Sequence, residues 1–116
     1  MSKDNAYLAD ILKAAKAIEH FLEGVPQAAF LSNEEKYEAV NRKFEIIGEA
    51  TRHLSVEARA QFPDIPWKQI SAMRNILIHD YGDVDLVIVW NTTQRDIPRL
   101  IGVLEAHFAK LPPPPC

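Results

Sequence analysis

The chain has 116 residues, 47% of them apolar and 25% charged, with a formal net charge of −3. That length makes one domain with a single core, and no apolar run approaches the ~18 residues of a membrane span. The negative excess sits in residues 1–58, while residues 59–116 are balanced, so the broad basic surface of a nonspecific nucleic-acid binder is absent.

The first residues, Met1-Ser2-Lys3-Asp4-Asn5, are polar and lack the hydrophobic stretch of an export signal. Leu8, Ile11, Leu12, Ala15, Ile18 and Leu22 then recur at the three-and-four spacing of an amphipathic helix. Gly24 and Pro26 end it. Ser32-Asn33-Glu34-Glu35 opens the next helix, with Ser32 expected as its cap and Glu35 as the returning acceptor of a capping box. Its apolar stripe is Tyr37, Val40, Phe44, Ile47 and Leu54, and Gly48 and Ala50 leave room for a close neighbour. A short helical turn is expected after Ser55.

Pro63-Asp64-Ile65-Pro66 breaks the chain, and Pro66 suits the first position of a third long helix. Gly82-Asp83 ends that helix, with Asp83 expected to cap a fourth that carries Leu86, Trp90, Ile97, Leu100, Ile101, Leu104, Phe108 and Leu111. Pro98 removes the backbone bond to the Gln94 carbonyl and should kink it. The spacing therefore predicts helices near 4–23, 33–54, 66–80 and 84–110: an all-α, antiparallel four-helix bundle over residues 1–111. Residues 112–116 form a proline-rich tail that cannot be helical. The one cysteine, Cys116, excludes an internal disulfide and a cysteine-built zinc site, and a reducing cytoplasm fits best.

The chemistry concentrates in Ser71-Ala72-Met73-Arg74-Asn75-Ile76-Leu77-Ile78-His79-Asp80-Tyr81-Gly82. Ile70, Met73, Ile76 and Leu77 share one helical face and should point to the core, leaving Ser71, Arg74, Asn75, Ile78 and His79 opposite. Asn75 and His79 are neighbours at i, i+4. Arg74 and His79 stand about 140° apart around the axis and ~7.5 Å along it, flanking a common stripe. A bundle helix has a polar face in any case, but this one lacks the Lys and Glu of an ordinary solvated surface. A fixed cation, an amide and an imidazole suit a phosphodiester: arginine holds phosphate oxygens and histidine moves protons near neutral pH. His20, His53 and His107 lie on separate helices without ligand-like spacing and read as surface or half-buried histidines. Trp67 and Trp90 read as packing anchors.

Arg74, four intervening residues, His79, one residue and Tyr81 resemble the signature of the HEPN superfamily, specifically its HepT-like toxins. Phe44-Glu45-Ile46-Ile47-Gly48-Glu49-Ala50, Ile65-Pro66-Trp67, Met73-Arg74-Asn75, Val89-Trp90 and Asp96-Ile97-Pro98 resemble the same family in the expected order. The resemblance implies a helical bundle that forms a homodimer, pairing two Arg–His motifs in one cleft. It also implies a metal-independent endoribonuclease, the toxin of a toxin–antitoxin pair, with RNA (possible substrates include tRNA) cleaved through Arg74 and His79. Asn75 and Glu49 are the supporting candidates, Glu49 read either as the carboxylate that orients Arg74 or as a solvated surface glutamate. The implied partner is an MntA-type nucleotidyltransferase antitoxin that transfers AMP from ATP to Tyr81. No cofactor, no metal and no membrane are implied. A different class of reading, a non-catalytic HEPN module that binds a nucleotide or docks to a nucleotidyltransferase, draws some support from the acidic net charge.

Overall fold

The computed structural model describes residues 2–79 and 85–111, with all their side chains except those at 74–76, 78 and 79. It is all-α: α1 (Lys3–Phe21), α2 (Gln27–Ser32), α3 (Glu34–His53), α4 (Val56–Gln61), α5 (Trp67–His79) and α6 (Leu86–Ala109). Among the described residues no helix is long and apolar enough to cross a membrane.

The four long helices are those expected from the periodicity, each ending earlier than expected and all but α1 starting later. Ser2 caps α1, its hydroxyl accepting from the Asn5 amide at 3.1 Å. Leu8, Ile11, Ala14, Ala15 and Ile18 line its buried side, while Leu12 is only half-buried. The helix stops at Phe21, two residues before the expected end, and Gly24 turns the chain with φ +70°, a conformation cheap only for glycine.

The capping box at Ser32 does not form. Ser32 is the last residue of α2, and its hydroxyl donates back to the Ala28 and Ala29 carbonyls at 3.0 and 3.3 Å. Asn33 takes the role instead, its side chain accepting from the Lys36 amide at 3.1 Å. Asn33 is therefore at once the C-cap of α2 and the N-cap of α3. α2 was not expected from the sequence. Its one buried residue, Phe30, packs edge-on against Tyr37 of α3 and at 5.4 Å from Trp90 of α6.

The turn expected after Ser55 is α4. Ser55 caps it by accepting from Ala58, and Asp4 in the first turn of α1 accepts from both the Ser55 amide (2.9 Å) and hydroxyl (2.7 Å). These bonds favour the charged carboxylate and hold Asp4 below the usual carboxylate range, the backbone bond contributing most. Pro66 precedes the first turn of α5, its carbonyl accepting from Ile70. α6 is capped by Asp85, which accepts from Val87 and Ile88, so the cap is not Asp83, whose position lies outside the described residues. The helix runs unbroken through Pro98.

The closest packing is of α1 on α3, α3 on α5 and α1 on α6. The long helices thus follow one another as α6, α1, α3, α5, with the core between them. Ile11, Ile18, Phe30, Val40, Ile47, Val89, Leu100 and Leu104 have essentially no exposed surface.

Candidate active site

α5 carries the motif. Ile70, Met73 and Leu77 are buried at 1%, 3% and 3% exposure, which fixes the rotation of the helix. With ~100° per residue, positions 75 and 79 fall within about 30° of the direction opposite those three residues. Position 74 falls about 65° from the core direction, on the flank of the helix beside Ile70 rather than opposite it. The sequence expectation grouped Arg74 with Asn75 and His79 on one face. The rotation places Asn75 and His79 on one outward stripe with Ser71, and Arg74 on its own edge. The side chains of Arg74, Asn75, Ile76 and His79 are outside the described set, as is Tyr81 altogether.

Two neighbours hold α5 in place. α3 packs along it, and α4 is tied to its first turn by the Trp67 indole, whose Nε1 donates to the Arg59 carbonyl at 3.0 Å. Trp67 is a half-buried packing anchor of the core, as is Trp90.

Glu49 lies on α3, half exposed. Its Oε1 meets the Arg52 guanidinium at 3.3 Å and His53 Nε2 at 3.1 Å. The His53 ring stacks on Tyr7 of α1, with centroids 5.2 Å apart and planes at 16°. A recess of about 240 Å³ opens there between α1 and α3, lined by Tyr7, Asp10, Arg42, Glu49 and His53. His107 is half-buried, meeting Asn5 Oδ1 at 2.9 Å and standing edge-on to Phe62, so it ties α6 to α1 and α4. His20 is exposed beside Glu23 at 3.7 Å.

Asp96 is 5% exposed and contacted by the Arg95 guanidinium at 3.2 Å, since a buried carboxylate is costly without a partner. Asn41 Oδ1 is buried with no hydrogen-bond partner among the described residues. Sequence reasoning gave neither a role. An Asp interrupting an apolar stripe, between Thr93 and Ile97, was the available signal for the first. Among the described residues, no three of His, Cys, Asp and Glu are grouped to hold a metal ion.

Residues 11–107 match the family described as Ribonuclease HepT-like. A protein of Thermococcus cleftensis named as a probable ribonuclease HepT is 39% identical over 99 residues, covering 85% of this chain and 90% of the relative. A Methanocaldococcus jannaschii protein provisionally named an RNase is 38% identical over 95 residues, covering 82% and 87% respectively. A similarly named protein of Caldanaerobacter subterraneus is 35% identical over 100 residues, covering 86% and 89%. No solved structure gives a significant match.

Proposed function

Because the chain belongs to the HepT-like ribonuclease family of the HEPN superfamily, we propose that it is a metal-independent endoribonuclease acting as the toxin of a toxin–antitoxin pair in the cytoplasm. The observation that carries this reading is the rotation of α5: with Ile70, Met73 and Leu77 buried, the positions of Asn75 and His79 lie on the outward side of the helix, available to a substrate.

In the proposed reaction His79 takes the proton of a ribose 2′-hydroxyl while the 2′-oxygen attacks the adjacent phosphorus. The bond from phosphorus to the 5′-oxygen breaks, and that oxygen leaves with a proton. The products are a 2′,3′-cyclic phosphate and a 5′-hydroxyl. Arg74 stabilises charge on the nonbridging oxygens. Asn75 orients the phosphate or the imidazole, and Glu49, on the helix against which α5 packs, is assigned to orienting Arg74. One imidazole does not readily act as base and acid in the same step. A homodimer, bringing a second His79 to the cleft, supplies the other group. An MntA-type nucleotidyltransferase antitoxin silences the enzyme by AMPylating Tyr81, because an added phosphodiester competes with RNA for Arg74.

The test is purified protein with total tRNA in excess chelator, followed by analysis of the cut ends. Cyclic phosphate and 5′-hydroxyl ends, lost in His79→Ala, support the reading. Activity that disappears with chelator replaces it with a metal mechanism. The net charge of −3 favours one competing reading, a non-catalytic docking or nucleotide-binding partner, which predicts no cut ends and no growth arrest.

A further inference from the structure

Apart from the motif, the helix that carries it borders an open groove of about 740 Å³ between α4 and α5. Its lining includes Val56, Arg59, Trp67, Lys68, Ser71 and Ala72. Two cations and a hydroxyl stand among apolar atoms, and among the described residues no carboxylate lines it: Glu57 and Asp64, the described acidic residues of the same segment, are both outside the lining. Lys68 and Ala72 are exposed, Arg59 and Ser71 are half-buried, and Val56 is 70% exposed. The tie from Trp67 Nε1 to the Arg59 carbonyl fixes the two walls against each other, so the groove is a preformed feature of the α4–α5 junction.

The groove is continuous with the candidate active site by helix register. Lys68, Ala72, Asn75 and His79 follow at intervals of four, three and four residues, which places all four positions within about 60° of one another around α5. From Lys68 to His79 the stripe runs ~16 Å at ~1.5 Å per residue. A chain lying along it meets cations at one end and the Asn75–His79 pair at the other.

We propose that this groove is the substrate path: it holds a single-stranded RNA backbone on the segment flanking the cleaved phosphodiester, with Arg59 and Lys68 contacting phosphates and Val56 and Trp67 offering apolar surface to sugar or base. Single-stranded RNA is recognised by this combination of backbone cations and apolar or aromatic platforms. A local pair of cations at the mouth of the site also explains how a chain of net charge −3 gains hold of a polyanion. The inference rests on the ribonuclease reading above and names the residues that position its substrate.

The experiment measures binding of a short single-stranded 2′-O-methyl RNA, which cannot be cleaved by 2′-oxygen attack, by fluorescence anisotropy across a salt series. It compares the wild type with Lys68→Glu, Arg59→Glu and Arg99→Glu, the last an exposed reversal on α6. Cleavage of unmodified RNA and sedimentation are followed in parallel. Each groove reversal is expected to weaken binding about tenfold and to lower the salt slope by ~0.7 per lost phosphate contact. KM rises while kcat at saturating RNA changes less than about twofold, and Arg99→Glu behaves as the wild type. If the wild type cleaves RNA and both groove reversals bind and cleave it equally well, the groove proposal is overturned and the ribonuclease reading stands. If the wild type neither binds nor cleaves RNA, the ribonuclease reading fails and takes the proposal with it. A change of oligomeric mass in the groove reversals means that a second copy of the chain fills the groove, which also overturns the proposal.

Discussion

Leu77 and His79 are two residues apart on α5, and the rotation of the helix assigns them opposite fates. Leu77 is 3% exposed in the core, so Leu77→Ala removes buried methyl groups and leaves a cavity, at a cost of ~3 kcal/mol. With unfolding entropy near 2.1 cal/mol/K per residue over 116 residues, each kcal/mol moves Tm by about 4 °C. Leu77→Ala should therefore melt ~12 °C below the wild type. It should still cleave RNA at low temperature, in proportion to its folded fraction. His79→Ala should do the reverse, shifting Tm by no more than ~2 °C while abolishing cleavage. The assay is thermal unfolding by circular dichroism together with RNA cleavage at 15 °C. If His79→Ala costs several kcal/mol, or Leu77→Ala costs almost nothing, α5 is rotated otherwise and His79 belongs to a structural network.

Asp4 is held below the usual carboxylate range by Ser55, so its contribution is complete above the unfolded pKa near 4 and is lost as pH falls through the depressed folded value. The Tm gap between wild type and Asp4→Asn should accordingly narrow between pH 5 and 3, and a gap independent of pH refutes the assignment. Gly24 has φ +70° with open space where a Cβ would stand. Gly24→Ala should thus cost about 1 kcal/mol from backbone conformation alone, read as a Tm loss near 4 °C; an unchanged Tm would mean that the turn relaxes. Coexpression with the nucleotidyltransferase should add adenylyl mass to the chain and none to Tyr81→Phe. An unmodified Tyr81 in a neutralised protein would leave plain occlusion of the cleft.

The long helices were legible because each carries enough apolar residues to show the 3.6-residue period: Leu8 to Ile18 in α1, Val40 to Ile47 in α3, Ile70 to Leu77 in α5. α2 was not, because six residues with one buried side chain, Phe30, show no period at all. The caps were ambiguous for a related reason. Ser32 and Asn33 are adjacent and equally competent, as are Asp83 and Asp85 two residues apart, and the helix phase is settled by packing rather than by the cap. The bond between Asp4 and Ser55 joins residues 51 apart, a tertiary event that no local pattern announces. The motif stood out by its residue types. The flank position of Arg74 follows from the same 100° arithmetic, and the burial of Ile70, Met73 and Leu77 supplies its reference direction.

The sharing of Asn33 between α2 and α3 has a consequence for the lengths this chain can take. With no spacer between the helices, α2 is locked in phase to α3. One residue inserted between Phe30 and Asn33 and taken up helically would rotate Phe30 by about 100° and shift it ~1.5 Å, swinging it away from Tyr37 and Trp90. The stretch from Glu23 to Pro26 carries no such constraint, since it joins α1 to α2 as an exposed or half-exposed turn around Gly24. Insertions and deletions that preserve the fold should therefore gather before α2 and be absent at its junction with α3.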